Sequence, residues 1–333
     1  LFTSQVLFQT AFTDPCAGSA PTASPAQCAR SGVTPQQYGN IASQSVVNGL
    51  MGGNPLLKPE TADTVTAGIV LTPLSTVLFS ADYWRIKVKN FISNVPPQLA
   101  LPTCLNTGDP FSCSLIQRDA NGSLSTGLGS TAGRIVSTRY NTGSYGTSGV
   151  DFEGRYVLSL QSLAAKAGNL SFSFTGSIAL DNPINVTPGT SLVDCTDLYG
   201  PTCSTVGATT PVPRWRHRLR MTWENRAGFE VSLNWRHIGR MNSEFTSSNP
   251  NLSSPDSVFP IDSHINAYDY LDLETGIDAT EHLRIRLGVN NLTDKRPPVI
   301  GYVANPLLVN GNMAAGVYDV LGRYLFAGLT ATF

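Results

Sequence analysis

Residues 214–223 read RWRHRLRMTW, with arginines at 214, 216, 218 and 220 and bulky side chains between them. Guanidinium groups at every second position can grip phosphate, line a water-filled wall, or pair with carboxylates across a sheet. A nucleic-acid groove needs a basic excess beside its aromatic platforms. This chain has 22 Lys+Arg against 23 Asp+Glu, a net charge of -1, so no nucleic-acid partner is expected. Asp272 and Glu274 could serve as an acid and a base, but two carboxylates on one strand face more often belong to a wall. GTSGVD lacks the G-x-S-x-G spacing of an exposed nucleophile. With no catalytic constellation and no cofactor motif, the chain is expected to be no enzyme and to use no cofactor.

The six cysteines form three close pairs: Cys16 with Cys28, Cys104 with Cys113, and Cys195 with Cys203. Each pair lies in a stretch rich in Pro, Gly, Ser and Thr, so the simple reading is three local disulfides formed in an oxidising compartment. Zinc is the rival reading. No CxxC occurs and the four histidines are scattered, so no metal site is expected.

The elements that must hold these residues show period-two alternation. In RWRHRLRMTW, Trp215, His217, Leu219, Met221 and Trp223 oppose the arginines and Thr222. FEVSLNW, LRIRLGVN and the stretches 150–158 and 170–180 alternate in the same way. Nine strands are expected, at about 62–72, 76–92, 133–160, 169–181, 213–225, 229–240, 268–278, 283–292 and 317–333. Charged residues are only 14% of the chain, below the usual quarter of soluble proteins. No apolar run is long enough for a transmembrane helix. The opening LFTSQVLFQT has no basic leader and no start methionine, so no signal peptide is read there.

A soluble sandwich also alternates, so two further features carry the class. Connections alternate in length, with short turns at 73–75, 162–169, 226–228 and 279–282. Long polar segments lie at 92–132, 182–213, 241–267 and 293–316. Short turns at one end and long loops at the other mark an outer-membrane barrel. Trp215 and Trp223 sit eight residues apart on one face, a span of about 20 Å along the normal at a 40° tilt. That suits an apolar band with an aromatic girdle at each edge. The arginines then face water, and the Trp/Leu/Met face meets outer-membrane lipid.

Several stretches resemble the C-terminal part of TonB-dependent outer-membrane receptors. GNPLLKPETADTVTAGIVLTP (53–73) resembles the family's passage from an external loop into a strand, and LFSADYWRIKVKNFIS (78–93) its next strand. GVNNLTDKRPP (288–298) is similar to the penultimate strand and its exit, and YDVLGRYLFAGLTATF (318–333) to the last strand. AFTDPC (11–16) resembles the start of a loop in the branch with cysteine-bearing external loops. The terminal Phe333, with Leu325, Ala327, Leu329 and Ala331 on its face, is similar to the signal read by the outer-membrane assembly machinery.

The resemblance implies an all-β fold, a transmembrane antiparallel β-barrel. Residues 1–333 are expected to be the C-terminal segment of a barrel of about 22 strands whose plug domain and TonB box lie outside this chain. It implies the bacterial outer membrane, with long loops extracellular and the C-terminus periplasmic. Expected partners are outer-membrane lipid, the N-terminal plug and remaining strands of the same receptor, and the TonB complex through the missing part. The implied function is active uptake of a scarce ligand, a ferric siderophore or an oligosaccharide. A passive porin and a soluble β-rich binding protein are the alternatives. Candidate ligand residues are Tyr199, Phe245, Tyr268, Tyr270, Tyr302 and Asn305.

Overall fold

The computed structural model describes residues 4–127, 129–185, 192–200, 202–204, 211–250, 252–255, 258–301, 314 and 316–332. Nine long strands run in chain order: β1 (Thr61–Leu74), β2 (Val77–Asn94), β3 (Arg139–Ser159), β4 (Asn169–Asp181), β5 (Trp215–Glu224), β6 (Phe229–Ile238), β7 (Tyr268–Thr280), β8 (Leu283–Asn290) and β9 (Tyr324–Ala331). Each is hydrogen-bonded to the next, so the sheet is a meander. From β3 to β9 every pairing is antiparallel. No helix among the described residues is long and apolar enough to cross a membrane, which says nothing about strands.

Two expected strands are shorter than the alternation suggested. The stretch 133–160 is interrupted, because Ser137 leaves the ladder: its N–H bonds Leu50 O at 2.8 Å and its hydroxyl bonds Val95 O at 2.8 Å. Arg134–Val136 is therefore a separate strand ahead of β3. The stretch 317–333 reaches its strand only at Tyr324, because Gly322 takes a φ of 70° and Asp319 is tied down by side-chain bonds. The turn before β6 has the expected chemistry. Asn225 Oδ1 accepts from the N–H groups of Ala227 (2.8 Å) and Phe229 (3.0 Å), an Asx turn of the kind that tightens hairpins.

Register puts the alternating residues on two distinct faces. Leu219 pairs with Phe174 and Met221 with Phe172, while Arg220 pairs with Ser173 and Arg218 with Thr175. Along the apolar face, ring contacts run from Phe79 to Phe152 (6.5 Å), Phe152 to Trp215 (6.5 Å) and Trp215 to Phe174 (6.2 Å). Trp223 Nε1 donates to Ala167 O at 2.8 Å, fixing the indole beside the β3–β4 turn. On the polar face Gly288 lies opposite Phe326, whose ring would be 2.1 Å from any Cβ placed there. Only glycine lets the ring lie flat across the neighbouring strand.

The chain divides into two compact units. One comprises Leu1–Ala62, Val88–Tyr145 and Ile184–Leu192. It is not a set of loose loops. Strands Val6–Ala11, Val46–Met51, Arg134–Val136 and Ile116–Gln117 form a small sheet in that order. Helices Pro25–Arg30, Pro97–Thr107 and Pro110–Ser114 accompany it. The first helix has a capping box, with Ser24 Oγ accepting from Gln27 N at 3.3 Å and Ser24 N donating to Gln27 Oε1 at 2.9 Å. Its core includes Val47, Val95, Leu101, Leu124 and Ile135 with the Cys16–Cys28 bridge. Arg118 and Asp14 form a buried ion pair at 2.5 Å, each side chain 4% exposed. Arg118 Nη1 also donates to Gly122 O (2.8 Å) and Nη2 to Ser31 Oγ (3.0 Å).

In the same unit the NPLLKPE stretch is a hydrogen-bonded clamp. Asn54 Nδ2 donates to Arg139 O (2.9 Å). Asn141 accepts from Lys58 N (2.8 Å) and donates to Lys58 O (2.9 Å) and Asn90 O (2.6 Å). Glu60 accepts from Ile92 N (2.6 Å).

The other unit comprises Asp63–Lys87, Gly146–Pro183 and Val193–Phe333. Besides the sheet it holds a core of Tyr199, Met241, Ile265, Tyr270, Ile300, Ala314 and Tyr318. Short strands Leu198–Tyr199, Met241–Ser243 and His264–Ile265 knit that core together. The Cys195–Cys203 disulfide closes the loop beside it.

Candidate functional site

The polar face of the sheet carries the candidate site. Strand parity brings Arg216 and Arg218 of β5 to the same face as Asp151 and Glu153 of β3: Asp151 pairs with Ser177, which pairs with Arg216, and Glu153 reaches Arg218 through Thr175. Asp82 of β2 joins them, and these residues with Arg236 line a concavity of about 530 Å³. Its two walls have opposite sign, with carboxylates on β2–β3 and guanidiniums on β5–β6.

The arginines differ in how they are held. Arg236 is gripped on two sides. Asp272 takes its Nε (2.8 Å) and Nη2 (2.9 Å), and Asp319 takes Nη1 (2.9 Å) and Nη2 (2.6 Å). Its guanidinium also lies 4.8 Å from the centre of the Tyr270 ring. Arg214 pairs with Asp197 at 2.7 Å, and Arg220 lies 3.6 Å from Glu274. Arg284 bridges Glu230 (2.5 Å) and Asp278 (2.7 Å). Among the described residues Arg216 and Arg218 have no ion pair, and both are exposed. Such a face can bind charged groups.

The residues picked from sequence fall in different places. Tyr199 and Tyr270 are fully buried, with Tyr199 donating to Asp262 O at 2.6 Å. Burial, and then the Asp262 charge, pushes the Tyr199 phenol far above its usual range. These two rings pack the loop core and offer no face to a ligand. Tyr268 is bonded through its hydroxyl to Arg296 O, and the Lys295 ammonium sits 4.0 Å from its ring centre. Phe245 is half-buried in the turn Glu244–Thr246. Tyr302, Asn305 and Phe333 lie outside the described residues. The cysteines pair as expected, Cys16–Cys28, Cys104–Cys113 and Cys195–Cys203. Among the described residues no three His, Cys, Asp or Glu side chains are grouped to hold a metal ion.

Two participants escaped the sequence reading. Asp319 falls in a stretch expected to be strand, and Asp82 shares its face with Trp84, which the assignment of tryptophans to lipid turns the wrong way. Glu244, 2% exposed, was also missed. Its carboxylate accepts from Thr202 N (2.9 Å) and Cys203 N (2.8 Å) and so pins the third disulfide loop.

A sequence profile described as TonB dependent receptor-like, beta-barrel, matches residues 19–292. The chain belongs to the TonB-dependent receptor β-barrel family. Members of this family are barrels of the outer membrane, and the meander of long strands is their fold. A comparison with curated proteins finds no match. Among solved structures, the chain is similar to a double mutant of the ferric enterobactin receptor PfeA from Pseudomonas aeruginosa. The identity is 18% and the TM-score 0.55, over 98% of this chain and 35% of that one. It is also similar to the siderophore receptor PirA from Acinetobacter baumannii, at 16% identity and a TM-score of 0.50, over 86% of this chain and 34% of that one. At these identities the likeness concerns the fold. The chain spans about a third of the length of the receptors it matches.

Proposed function

We propose that this chain is the C-terminal segment of a TonB-dependent transporter for active uptake of an anionic, metal-chelated small molecule of the ferric siderophore class. In this reading the apolar face meets lipid, the polar face lines the lumen, the long loops are extracellular and the C-terminus is periplasmic. The plug, the remaining strands and the TonB-contacting segment belong to the rest of the receptor. The observation that carries the ligand class is the pair Arg216 and Arg218, exposed on the polar face and without carboxylate partners among the described residues. Charged groups focused in a cleft raise the local concentration of an oppositely charged ligand. The structural neighbours, described as ferric enterobactin and siderophore receptors, agree with that class. Oligosaccharide uptake would rest on exposed aromatic platforms, and Tyr199 and Tyr270 are enclosed.

The test is uptake by cells carrying the native receptor or its Arg216→Gln/Arg218→Gln form. Uptake of a ferric siderophore should fall about tenfold or more for the variant, and should weaken with added salt. It should also stop when the proton-motive force is collapsed. Uptake that survives that collapse would instead indicate a passive pore. Unchanged siderophore uptake with impaired oligosaccharide uptake would reverse the ligand assignment.

A further inference from the structure

The acidic wall of the concavity is an unfavourable arrangement on its own. Between the neighbouring strands β2 and β3, Val157 N bonds Thr76 O at 2.9 Å, and a Cβ on Gly149 would lie 2.5 Å from the Trp84 ring. These two contacts share one antiparallel register, in which Asp82 stands directly opposite Asp151 on the polar face. Glu153 follows Asp151 by two residues and lines the same concavity. Like charges directly opposite one another destabilise a sheet. All three carboxylates are exposed, and none has an ion pair among the described residues. The Asp82 carboxylate leans over Gly68 of β1, where any Cβ would collide with its Oδ1. Glycine there lets Asp82 turn away from Asp151, as two like charges part.

The basic wall stands two strands from Asp151. Asp151 pairs with Ser177 of β4, and Ser177 pairs with Arg216 of β5. At about 4.8 Å between strands, the two walls are about 10 Å apart. An arginine can cross that gap in this sheet, since Arg284 of β8 reaches Glu230 of β6 at 2.5 Å. Arg216 does not take the same reach to Asp151, and the opposite charges stay apart across open space. Trp84 completes the acidic side. It stands one step from Asp82 on the same face, about 6.6 Å along the strand, with its indole over Gly149. Carboxylates beside an indole suit an organic cation, which gains charge pairing and attraction to the ring.

We propose that this concavity selects a dipolar ligand: Arg216 and Arg218 take its anionic chelate, and Asp82 and Asp151 take a protonated amine carried on the same molecule. The amine relieves the repulsion between the opposed carboxylates, so the acidic wall favours it over a neutral group of the same shape. The volume, about 530 Å³, suits a small molecule that spans both walls. The proposal rests on the transporter reading given above and narrows its ligand from any anionic chelate to one that carries an amine.

The test compares two probes in cells carrying the native receptor. One is a ferric tris-catecholate with a pendant primary amine about 10 Å from the iron, to match the spacing of the walls. The other is the same chelate with that amine acetylated. Uptake of the amine form should exceed that of the acetylated form by about tenfold or more, the effect of one charge-assisted hydrogen bond. Added salt should narrow the gap. Asp82→Asn/Asp151→Asn should bring the ratio of the two uptakes close to one, and Asp82→Glu/Asp151→Glu, which keeps the charges, should keep most of the preference. Surface labelling matches the amount of each form in the membrane. Equal uptake of the two probes by the native receptor, a comparison that needs no variant, would overturn the proposal. So would an Asn form that keeps the preference. A native receptor that takes up neither probe would overturn the ligand class given above, and this proposal with it.

Discussion

Glu244 shows what a single buried carboxylate does in this chain. Burial pushes its carboxyl above the usual range, and the N–H groups of Cys203 and Thr202 pull the other way without cancelling the shift. A carboxyl whose folded pKa exceeds its unfolded value of about 4.3 contributes stability that is full below that value and lost as pH rises through the folded one. The protection of the Thr202 and Cys203 amides, their exchange measured against the intrinsic base-catalysed rate at each pH, should therefore rise as pH falls from neutral toward about 4.3, and Glu244→Gln should remove that rise. Protection that drops on acidification would show that the hydrogen bonds outweigh the burial. In the Arg118–Asp14 pair the buried carboxylate instead has a buried guanidinium at 2.5 Å. Arg118→Gln strands a buried carboxylate and should cost about 3–5 kcal/mol, whereas Asp14→Leu with Arg118→Met should cost much less. Thermal unfolding of the three forms measures the difference. Neither residue stood out in the sequence. Glu244 follows MNS and Asp14 precedes Pro-Cys, and what distinguishes them is burial produced by chain segments far away in sequence.

At the scale of elements, the long strands were legible because their side chains alternate over eight or more residues, and alternation depends on neighbours alone. RWRHRLRMTW became β5 (Trp215–Glu224) with its arginines on one face, as its pattern required. The long segments were not legible as folded pieces. Helix Pro97–Thr107 carries Pro102 in its interior, which argues against a helix in the sequence, and its buried stripe of Pro97, Ala100, Leu101, Cys104 and Leu105 finds a partner only in a core shared with residues 16–47. Cysteine spacing did reveal how these segments are stapled. The Cys195–Cys203 bridge closes a loop with a sequence separation of 8, and replacing both by serine should cost roughly 2–3 kcal/mol. Peptide mapping without reductant checks the pairing, and denaturation of the variant checks the cost. The NPLLKPE clamp makes a separate prediction. Asn141→Ala removes three hydrogen bonds to two segments and should loosen residues 54–60 locally by about 1–3 kcal/mol. Faster exchange at Lys58 N and at Ile92 N, with the amides of β5 unchanged, is the expected signature.

For the whole molecule, the two faces of the meander make the decisive prediction. Spin labels at 219 and 172 should be shielded from an aqueous quencher in membranes, and labels at 218 and 173 should be accessible; equal quenching would contradict the assignment of faces. The sequence displayed these faces through its alternation, and the acidic wall opposite the arginines only in part. Asp151 and Glu153 stood out, but the place of Asp82 depends on which strand lies beside β2, a matter of topology. That topology also orders events in time. Paired residues at the β5–β6 turn, Glu224 and Glu230, are six positions apart, whereas Asn290 of β8 pairs with Tyr324 of β9, 34 positions on. Closing a short loop costs less chain entropy than closing a long one, and local pairings form sooner. The hairpins β1–β2, β3–β4, β5–β6 and β7–β8 should therefore zip first. The joins made through long loops, β2 to β3, β4 to β5, β6 to β7 and β8 to β9, should wait until those loops have collapsed. By drawing residues 195 and 203 together, the third disulfide shortens the path between β4 and β5, so an oxidising compartment should quicken that one join and leave the hairpins at their own pace.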